Sequence, residues 1–190
     1  MKTMLLPLLC LLLSGPSLGQ DKKIIINNIE LKQSQINELE YIYGIKPEPG
    51  NYWYDSKSGL YGVIGYASFG FMFHGHEFGE IKQDVSKGNT SVVVNGRELP
   101  KNEWLVWSYV LGYYIQPGRY WFDHLGNAGY EGNPIPTVNL YYAAQQNQYI
   151  GQGSGGDNFW STRFSAGNSD RGNTRGYVSV PGHGPVGYGF

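Results

Sequence analysis

The hydrophobic and polar positions of this chain form one pattern that occurs twice. Each copy opens with a β-branched triplet, Ile24–Ile26 or Val92–Val94, that runs into an Asn-Asn or an Asn-Gly pair. β-Branched residues favour strands, and Asn-Gly is the strongest short hairpin signal because both residues accept positive φ. Each copy is therefore predicted to begin with a strand, a tight turn and a second strand.

A helix is predicted next in both copies. Apolar residues recur at i, i+3, i+6 and i+7, which places them on one helical face. The same register holds twice, with Ile36, Leu39, Ile42 and Tyr43 in the first copy and Trp104, Trp107, Val110 and Leu111 in the second. Gly44 and Gly112 stand where a C-cap glycine belongs.

An aromatic strand completes each copy. A Pro-Gly pair leads into residues 52–55 (YWYD) and 120–123 (YWFD), and each strand ends in an Asp whose side chain can open the next turn. The glycines beyond these strands indicate that turn and a returning strand.

Direct alignment shows that the two copies are a duplication. Residues 24–55 align without a gap to residues 92–123 at an offset of 68, and ten of the 32 pairs are identical. Sequences of ordinary composition would share about two by chance. With one residue deleted, the match continues through three more glycines, to Gly65 in the first copy and Gly132 in the second.

The N-terminus has the pattern of a secretory leader. Lys2 is followed by an apolar run over residues 4–13, and the small residues Ser17 and Gly19 precede a cleavage position before Gln20. The apolar run is about half as long as a membrane-spanning helix requires. The only cysteine lies inside this run, so the mature chain is predicted to contain none.

The sequence therefore predicts an α+β fold in which a β-hairpin/helix/β-hairpin unit is duplicated in tandem and followed by a Gly/Asn-rich tail. The terminal stretch from residue 176 has two short apolar runs around Pro-Gly-His-Gly, the pattern of a hairpin. The predicted parts are a signal peptide at 1–19, a duplicated domain at 20–140 with units at about 22–66 and 90–133 and a linker at 67–89, and a tail at 141–190.

Charge and cysteine content exclude several classes of function. Lys and Arg total 14 against 15 Asp and Glu, so the formal net charge is −1, and this balance gives no footprint for binding nucleic acid. A mature chain without cysteine excludes a thiolate zinc site, a cysteine nucleophile and thiol redox chemistry. An exported domain without disulfides must be held by its core, by bound metal or by partners.

Only one cluster has the residue types of a metal site. His74 and His76 would share one face of a strand, and Glu80 could complete a three-ligand site with an open position for water. The alternative is that both histidines lie in a flexible polar linker, where neighbouring glycines prevent rigid presentation. Asp55 and Asp123 could form a carboxylate pair of the glycosidase kind, but opening turns at equivalent repeat positions is the simpler role for them.

The aromatic residues, which make up 15% of the chain, allow two interpretations. Exposed Tyr and Trp side chains can stack on sugar rings or anchor protein partners. A small domain without cysteine also needs large side chains in its core, and Trp53, Trp104, Trp107 and Trp121 fit the core pattern of the repeat. Asn89-Thr90-Ser91 matches the short acceptor pattern for N-glycosylation.

Three stretches of the repeat also carry a family resemblance. PGNYWYDSKSGLYG, SKGNTSVVVNGRELP and PGRYWFD with its glycines resemble a module of the plant extra-large G-protein α subunits, where it lies between a cysteine-rich region and the GTPase domain. They are also similar to small secreted bacterial proteins without an assigned role. The resemblance covers roughly residues 31–132 and implies a transferable extracellular or regulatory module. It implies no nucleotide binding, because the chain has no Gly-rich loop ending in Gly-Lys-Ser/Thr.

The sequence thus predicts a secreted or periplasmic, non-catalytic module that binds an extracellular protein or a glycan. It assigns no catalytic, cofactor-binding or metal-binding residue, no nucleic-acid partner and no membrane span after leader cleavage. One alternative is a metal-dependent hydrolase that uses His74, His76 and Glu80. The other is a structural or matrix component that assembles through its tail.

Overall fold

Each repeat forms a five-stranded sheet that carries one helix. The computed structural model describes residues 23–150, 176–179 and 185–188, so the predicted signal peptide and much of the predicted tail lie outside the described residues. The first unit contains β1 (Ile24–Ile26), β2 (Ile29–Glu30), α1 (Gln33–Tyr43), β3 (Gly50–Tyr54), β4 (Leu60–Val63) and β5 (Gly70–Phe71). The second contains β6 (Val92–Val94), β7 (Arg97–Glu98), α2 (Lys101–Leu111), β8 (Gly118–Phe122), β9 (Asn127–Tyr130) and β10 (Val138–Asn139).

The two sheets have the same topology, which agrees with the predicted α+β fold and tandem duplication. The strand order is β2-β1-β3-β4-β5 in the first sheet and, in the same sense, β7-β6-β8-β9-β10 in the second. β1 pairs parallel with β3, and β6 with β8, whereas the other pairs are antiparallel. A parallel pair needs a crossover connection, which α1 and α2 supply. Each unit extends one strand beyond its predicted end, through β5 or β10.

An asparagine side chain fastens each parallel strand pair at the same place. The amide of Asn27 bonds both backbone groups of Tyr54, at 2.8 Å to the oxygen and 2.9 Å from the nitrogen. The amide of Asn95 bonds Phe122 in the same way, at 2.6 and 3.2 Å. Both asparagines have φ of 49°, a conformation that Asn tolerates better than most residues. This geometry accounts for their identity in the two repeats.

A tryptophan and a glycine face each other across the hairpin of each unit. Trp53 is opposite Gly62, and Trp121 is opposite Gly129. A Cβ atom on Gly62 would lie 2.7 Å from the ring of Trp53, so only glycine leaves room for the indole. The repeated glycines of this strand therefore provide space for a ring.

The two units share one core. Trp53, Leu60 and Phe71 of the first sheet belong to the same buried cluster as Val92, Val94, Leu99, Trp107, Val110 and Phe122 of the second unit. A separate cluster between α1 and the other face of the first sheet contains Ile26, Leu39, Tyr43, Tyr54 and Tyr61. The first sheet is thus covered on one face by its own helix and on the other by the second unit.

A buried ion pair lies at the junction between the units. Arg97 and Glu103, whose side chains are 2% and 0% exposed, form two bonds of 2.8 and 2.6 Å. Ser68 donates its backbone N–H and its hydroxyl to the same carboxylate, at 3.1 and 2.6 Å. The guanidinium of Arg97 also lies 4.2 Å from the ring centroid of Trp53. Both Ser68 and Trp53 precede the second unit, so these contacts join it to the first.

The predicted linker at 67–89 contributes to the cores. Besides β5, it places Phe71, Met72, Phe78 and Val85 in buried positions. This segment is therefore packed against the cores and is not the flexible polar connection that its glycines predict. Its apolar residues lack a helix or strand period because they contact two different cores.

The predicted tail begins with ordered structure. A third helix, α3 (Leu140–Ile150), crosses the predicted boundary at residue 140 and buries Leu140, Tyr141 and Ala144 in the shared core. The terminal hairpin is confirmed, since β11 (Gly176–Ser179) pairs antiparallel with β12 (Pro185–Tyr188). The remainder of the tail, including residues 151–175, lies outside the described residues.

The helices follow their predicted apolar faces with one exception. Leu39 and Tyr43 are buried in α1, as are Trp107 and Val110 in α2. Ile42, the counterpart of Val110, is 38% exposed because α2 packs against α3 as well as its sheet, a neighbour that α1 lacks within the described structure. Along the described residues, none of the helices combines the length and apolar character needed to cross a membrane.

Candidate functional site

An apolar groove of about 120 Å³ lies in the second unit, between α2 and the sheet face that α2 covers. Its walls come from α2, from the segment 113–116 that follows it, and from strands β6, β8, β9 and β10. Of the 16 described residues that line the groove, none carries a charge. Six of them are aromatic: Trp107, Tyr113, Tyr114, Tyr120, Trp121 and Tyr130.

Hydrogen bonds and ring contacts hold one side of the groove in place. The indole nitrogen of Trp104 donates to the carbonyl of Ile115 at 2.9 Å, and its ring stacks on Tyr114 with centroids 5.4 Å apart. The hydroxyl of Tyr120 donates to the carbonyl of Gln116 at 2.8 Å. The segment after α2 is therefore tied to both the helix and the sheet, so the groove has a formed shape before any ligand arrives.

The mouth of the groove presents tyrosine rings to solvent. Tyr113, Tyr114 and Tyr130 are 56%, 66% and 57% exposed. Tyr130 packs on Tyr120 with ring centroids 5.2 Å apart, and partial burial raises the pKa of Tyr120 above its ordinary value. The raised pKa keeps the hydroxyl of Tyr120 neutral at ordinary pH. The mouth can offer hydrogen-bonding hydroxyl groups around apolar ring faces.

Comparison of the two units shows how the groove of the second unit arises. In the first unit Tyr61 lies opposite Tyr54 on the hairpin, and in the second unit Ala128 lies opposite Phe122. Tyr61 and Ala128 are therefore equivalent positions on the helix-covered face of the sheet. Tyr61 is 1% exposed and belongs to the buried cluster under α1, whereas Ala128 leaves the corresponding space open and lines the groove.

A second replacement, on the helix, also puts a smaller side chain beside the groove. Tyr43 at the end of α1 is buried, and its counterpart at the offset of 68 is Leu111, which lines the groove. Trp107 replaces Leu39 and recovers part of the lost volume. At these three positions the second unit therefore has two fewer phenol rings and one more indole than the first.

The two histidines of the predicted metal site contact different neighbours. The ring of His74 stacks on that of His124 with centroids 3.6 Å apart, while Nε2 of His76 lies 2.7 Å from the hydroxyl of Tyr43. Glu80 is exposed. Across residues 23–150 and the two terminal strands, no group of three or more His, Cys, Asp or Glu residues could hold a metal ion.

The environment of His76 favours its neutral form. Its ring is half-buried among Tyr43, Tyr54 and Phe78. Burial lowers the pKa of His76 below its usual value, because desolvation penalises the charged imidazolium. The hydroxyl of Tyr43 also accepts a bond from the N–H of Phe73 at 2.9 Å. His76 thus helps to fasten the segment after β5 to α1.

The two aspartates of the repeat open turns, which was the simpler of the predicted roles. Asp55 accepts the backbone N–H of Lys57 at 3.0 Å, and Asp123 accepts that of Leu125 at 2.9 Å. Asp55 additionally accepts the side-chain amide of Asn95 at 2.6 Å, which adds a contact between the units. Burial raises the pKa of Asp55 above its ordinary value. Their hydrogen bonds give both carboxylates a structural role.

The predicted core tryptophans divide into two groups. Trp53 and Trp107 are buried, whereas Trp104 and Trp121 are half-buried beside or within the groove. Trp121 is less buried than its counterpart Trp53, because Trp53 lies on the face of the first sheet that the second unit covers. Asn89, of the glycosylation pattern, is exposed and accepts the first N–H of α2, from Lys101, at 3.0 Å.

Sequence reasoning missed the tyrosines at the mouth of the groove. Tyr113, Tyr114 and Tyr130 lie where the two repeats differ, and attention to identical positions passes over them. The sequence does show that Tyr61 of the first unit corresponds to Ala128 of the second. Its meaning for a ligand site depends on the strand register, which places both residues on the face that a helix covers.

Part of the chain is similar to two plant proteins. It is 29% identical over 121 residues to extra-large guanine nucleotide-binding protein 2 of Arabidopsis thaliana, covering 62% of this chain and 14% of that protein. It is 44% identical over 111 residues to extra-large guanine nucleotide-binding protein 1 of the same plant, covering 43% of this chain and 12% of that protein.

No family model matches the chain. No solved structure matches it either. The chain thus spans about a seventh or less of the relatives it matches, which have 14% and 12% of their length covered. The predicted resemblance to the extra-large G-protein α subunits is confirmed over part of the chain, and that to small secreted bacterial proteins stays a prediction.

Proposed function

We propose that this protein is a secreted, non-catalytic binding module, and that the aromatic groove of its second unit is the ligand site. The observation that carries the proposal is the groove itself, which is apolar, formed in advance and surrounded by exposed tyrosines. Ligand sites in proteins are typically concave and apolar with a few well-placed polar groups. The leader pattern at residues 1–19 supports export.

Divergence between the repeats also supports a ligand site here. The first unit fills the space under its helix with its own side chains, among them Tyr61 and Tyr43, and so completes a core. The second unit has the smaller residues Ala128 and Leu111 at these positions and surrounds the space with tyrosines. An open space under a helix forfeits packing contacts, so its stability cost is consistent with a role in binding.

Two other functions have less support. A hydrolase that uses His74, His76 and Glu80 would need these side chains to converge, and the stacking of His74 on His124 and the hydrogen bond of His76 to Tyr43 direct the two rings elsewhere. Guanine nucleotide binding is named for the two plant relatives, but this chain corresponds to a small part of each and has no Gly-Lys-Ser/Thr loop.

The proposal can be tested by searching for ligands with matched variants of the secreted chain. Wild-type protein is screened on a glycan array and against a displayed peptide library, and each hit is retested with Tyr114→Ala/Tyr130→Ala. The control is Tyr41→Ala/Tyr66→Ala, which removes tyrosines that are 90% and 69% exposed on the first unit. Circular dichroism confirms that all three proteins fold alike.

We expect hits that the groove variant loses and the control variant retains. Hot-spot aromatic residues typically contribute about 2 kcal/mol or more each, so removing one should weaken binding by about 30-fold and removing both by about 700-fold. Blank screens with folded wild-type protein, or hits that bind the groove variant unchanged, would exclude the groove as the ligand site.

A further inference from the structure

The repeat itself indicates what the groove accommodates. Tyr61 and Ala128 occupy equivalent positions in the hairpins of the two units and face the helix-covered side of their sheets. In the first unit this space is closed by a phenol ring that is 1% exposed. In the second unit the equivalent backbone position carries only the methyl group of Ala128. The open space beside it therefore lies where the first unit has the ring of Tyr61.

The dimensions and chemistry of the groove agree with a ring of that size. Its volume is about 120 Å³. An engineered cavity of about 150 Å³ lined by apolar side chains binds benzene, so this space is of the order that one six-membered ring fills. The lining residues Trp107 and Tyr120 can contact a ring through their edges and faces, and no lining residue offers a charge to an ionic ligand.

The surroundings of the groove extend beyond one ring. Tyr113, Tyr114 and Tyr130 surround the mouth, and the exposed side chain of Ile135, 68% accessible, follows on the loop between β9 and β10. A small aromatic molecule would leave this exposed apolar surface uncovered. A polypeptide that inserts one ring could cover it with its flanking residues.

We propose that the groove binds the uncharged aromatic side chain, tyrosine or phenylalanine, of a partner polypeptide, which occupies the space that Tyr61 fills in the first unit. This inference rests on the proposed function and specifies its ligand. The inserted ring would pack against Trp107 and reach Ala128, while the exposed tyrosines contact the partner's backbone and neighbouring side chains. The second unit is thus completed by a residue from another chain.

The test compares small neutral probes by NMR and tryptophan fluorescence on the full mature protein. The probes are N-acetyl-tyrosinamide, N-acetyl-leucinamide, methyl β-glucoside and the capped peptide Ser-Gly-Tyr-Gly-Ser. We expect saturable binding of the tyrosine probe, at least about tenfold weaker binding of the leucine probe, and tighter binding of the peptide than of the tyrosine probe. Nuclear Overhauser contacts should join the probe ring to the methyl group of Ala128.

Ala128→Tyr provides the decisive variant, because it places in the second unit the residue that the first unit carries. It should reduce binding of both tyrosine probes at least about tenfold while the melting temperature is kept or raised. Val63→Tyr is the control, since it adds a tyrosine at the first-unit counterpart of Tyr130 and away from the groove. If Ala128→Tyr does not fold, Leu111→Tyr tests the same space from the helix.

Different failures have different meanings. Equal binding of the leucine and tyrosine probes, or unchanged binding by a folded Ala128→Tyr, overturns the aromatic-ring proposal. Binding of the glucoside that is lost in Tyr114→Ala/Tyr130→Ala overturns it too, but leaves the groove as a ligand site. A peptide that binds no tighter than the tyrosine probe overturns the polypeptide partner. If these probes and the ligand screens are all blank, the ring proposal and the proposed function both fail.

Discussion

The buried ion pair between Arg97 and Glu103 allows a quantitative test of how the two units are held together. Glu103→Gln keeps the shape of the side chain and one acceptor for Ser68, but removes the charge that balances the guanidinium. Arg97 is 2% exposed, so it cannot recover its hydration without opening the junction. The variant therefore leaves a buried cation without its counter-charge.

Breaking a buried pair on one side typically costs about 3–5 kcal/mol, because the remaining ion is desolvated and uncompensated. In a domain of 150–250 residues each kcal/mol lowers the melting temperature by about 2–4 °C, so a fall of roughly 6–20 °C is expected. Urea unfolding followed by tryptophan fluorescence measures the change, and Trp53, which contacts Arg97, reports on the junction.

Two further variants separate the charge effect from general damage. Arg97→Met combined with Glu103→Gln leaves no unpaired charge, and it should cost less than the sum of the single variants. Glu131→Gln breaks the exposed pair with Arg119, whose side chain is about half accessible, and should leave the melting temperature unchanged within error. If Glu103→Gln is no more destabilising than Glu131→Gln, the junction does not depend on the ion pair.

Two predictions concern local contacts. Asn27→Ala should destabilise the protein by about 2–4 kcal/mol in urea unfolding, because it leaves buried backbone groups of Tyr54 unpaired. The control is Asn28→Ala, which changes an exposed neighbour that also has positive φ. Equal losses of stability in the two variants would refute the bridging role of Asn27. The lowered pKa of His76 predicts that its contribution to stability is complete above about pH 6.5 and is lost as the pH falls through the lower folded pKa. His76→Phe should therefore show a flatter loss of melting temperature between about pH 7 and 5 than wild type, and parallel curves would contradict the assignment.

The chain order of the elements could be predicted from the sequence because its signals are local. A turn requires the positive φ of Asn27 and Asn95, and a helix end requires each C-cap glycine. One close contact with a ring requires the glycine opposite Trp53 and the glycine opposite Trp121. Such requirements act over a few residues and therefore appear in the sequence as repeated identities. The apolar period of each helix is local in the same sense.

The pairing of the two units depended on contacts over long distances in the chain. Arg97 and Glu103 look like ordinary surface residues in the sequence, and only the tertiary structure places Ser68 and Trp53 around them. The same holds for the linker and α3, whose apolar residues are too few to predict a core alone. They are buried because two sheets supply the surfaces that they cover.

The candidate site exists only in the tertiary structure, because residues of several elements line it. The sequence by itself determined a duplicated α+β unit and its turns, and it left the aromatic residues divided between core and binding roles. Strand register and helix packing then showed that Tyr61 fills a space in one unit that Ala128 leaves open in the other. A cavity is a relation among side chains from several elements, so no local pattern in the sequence can specify it.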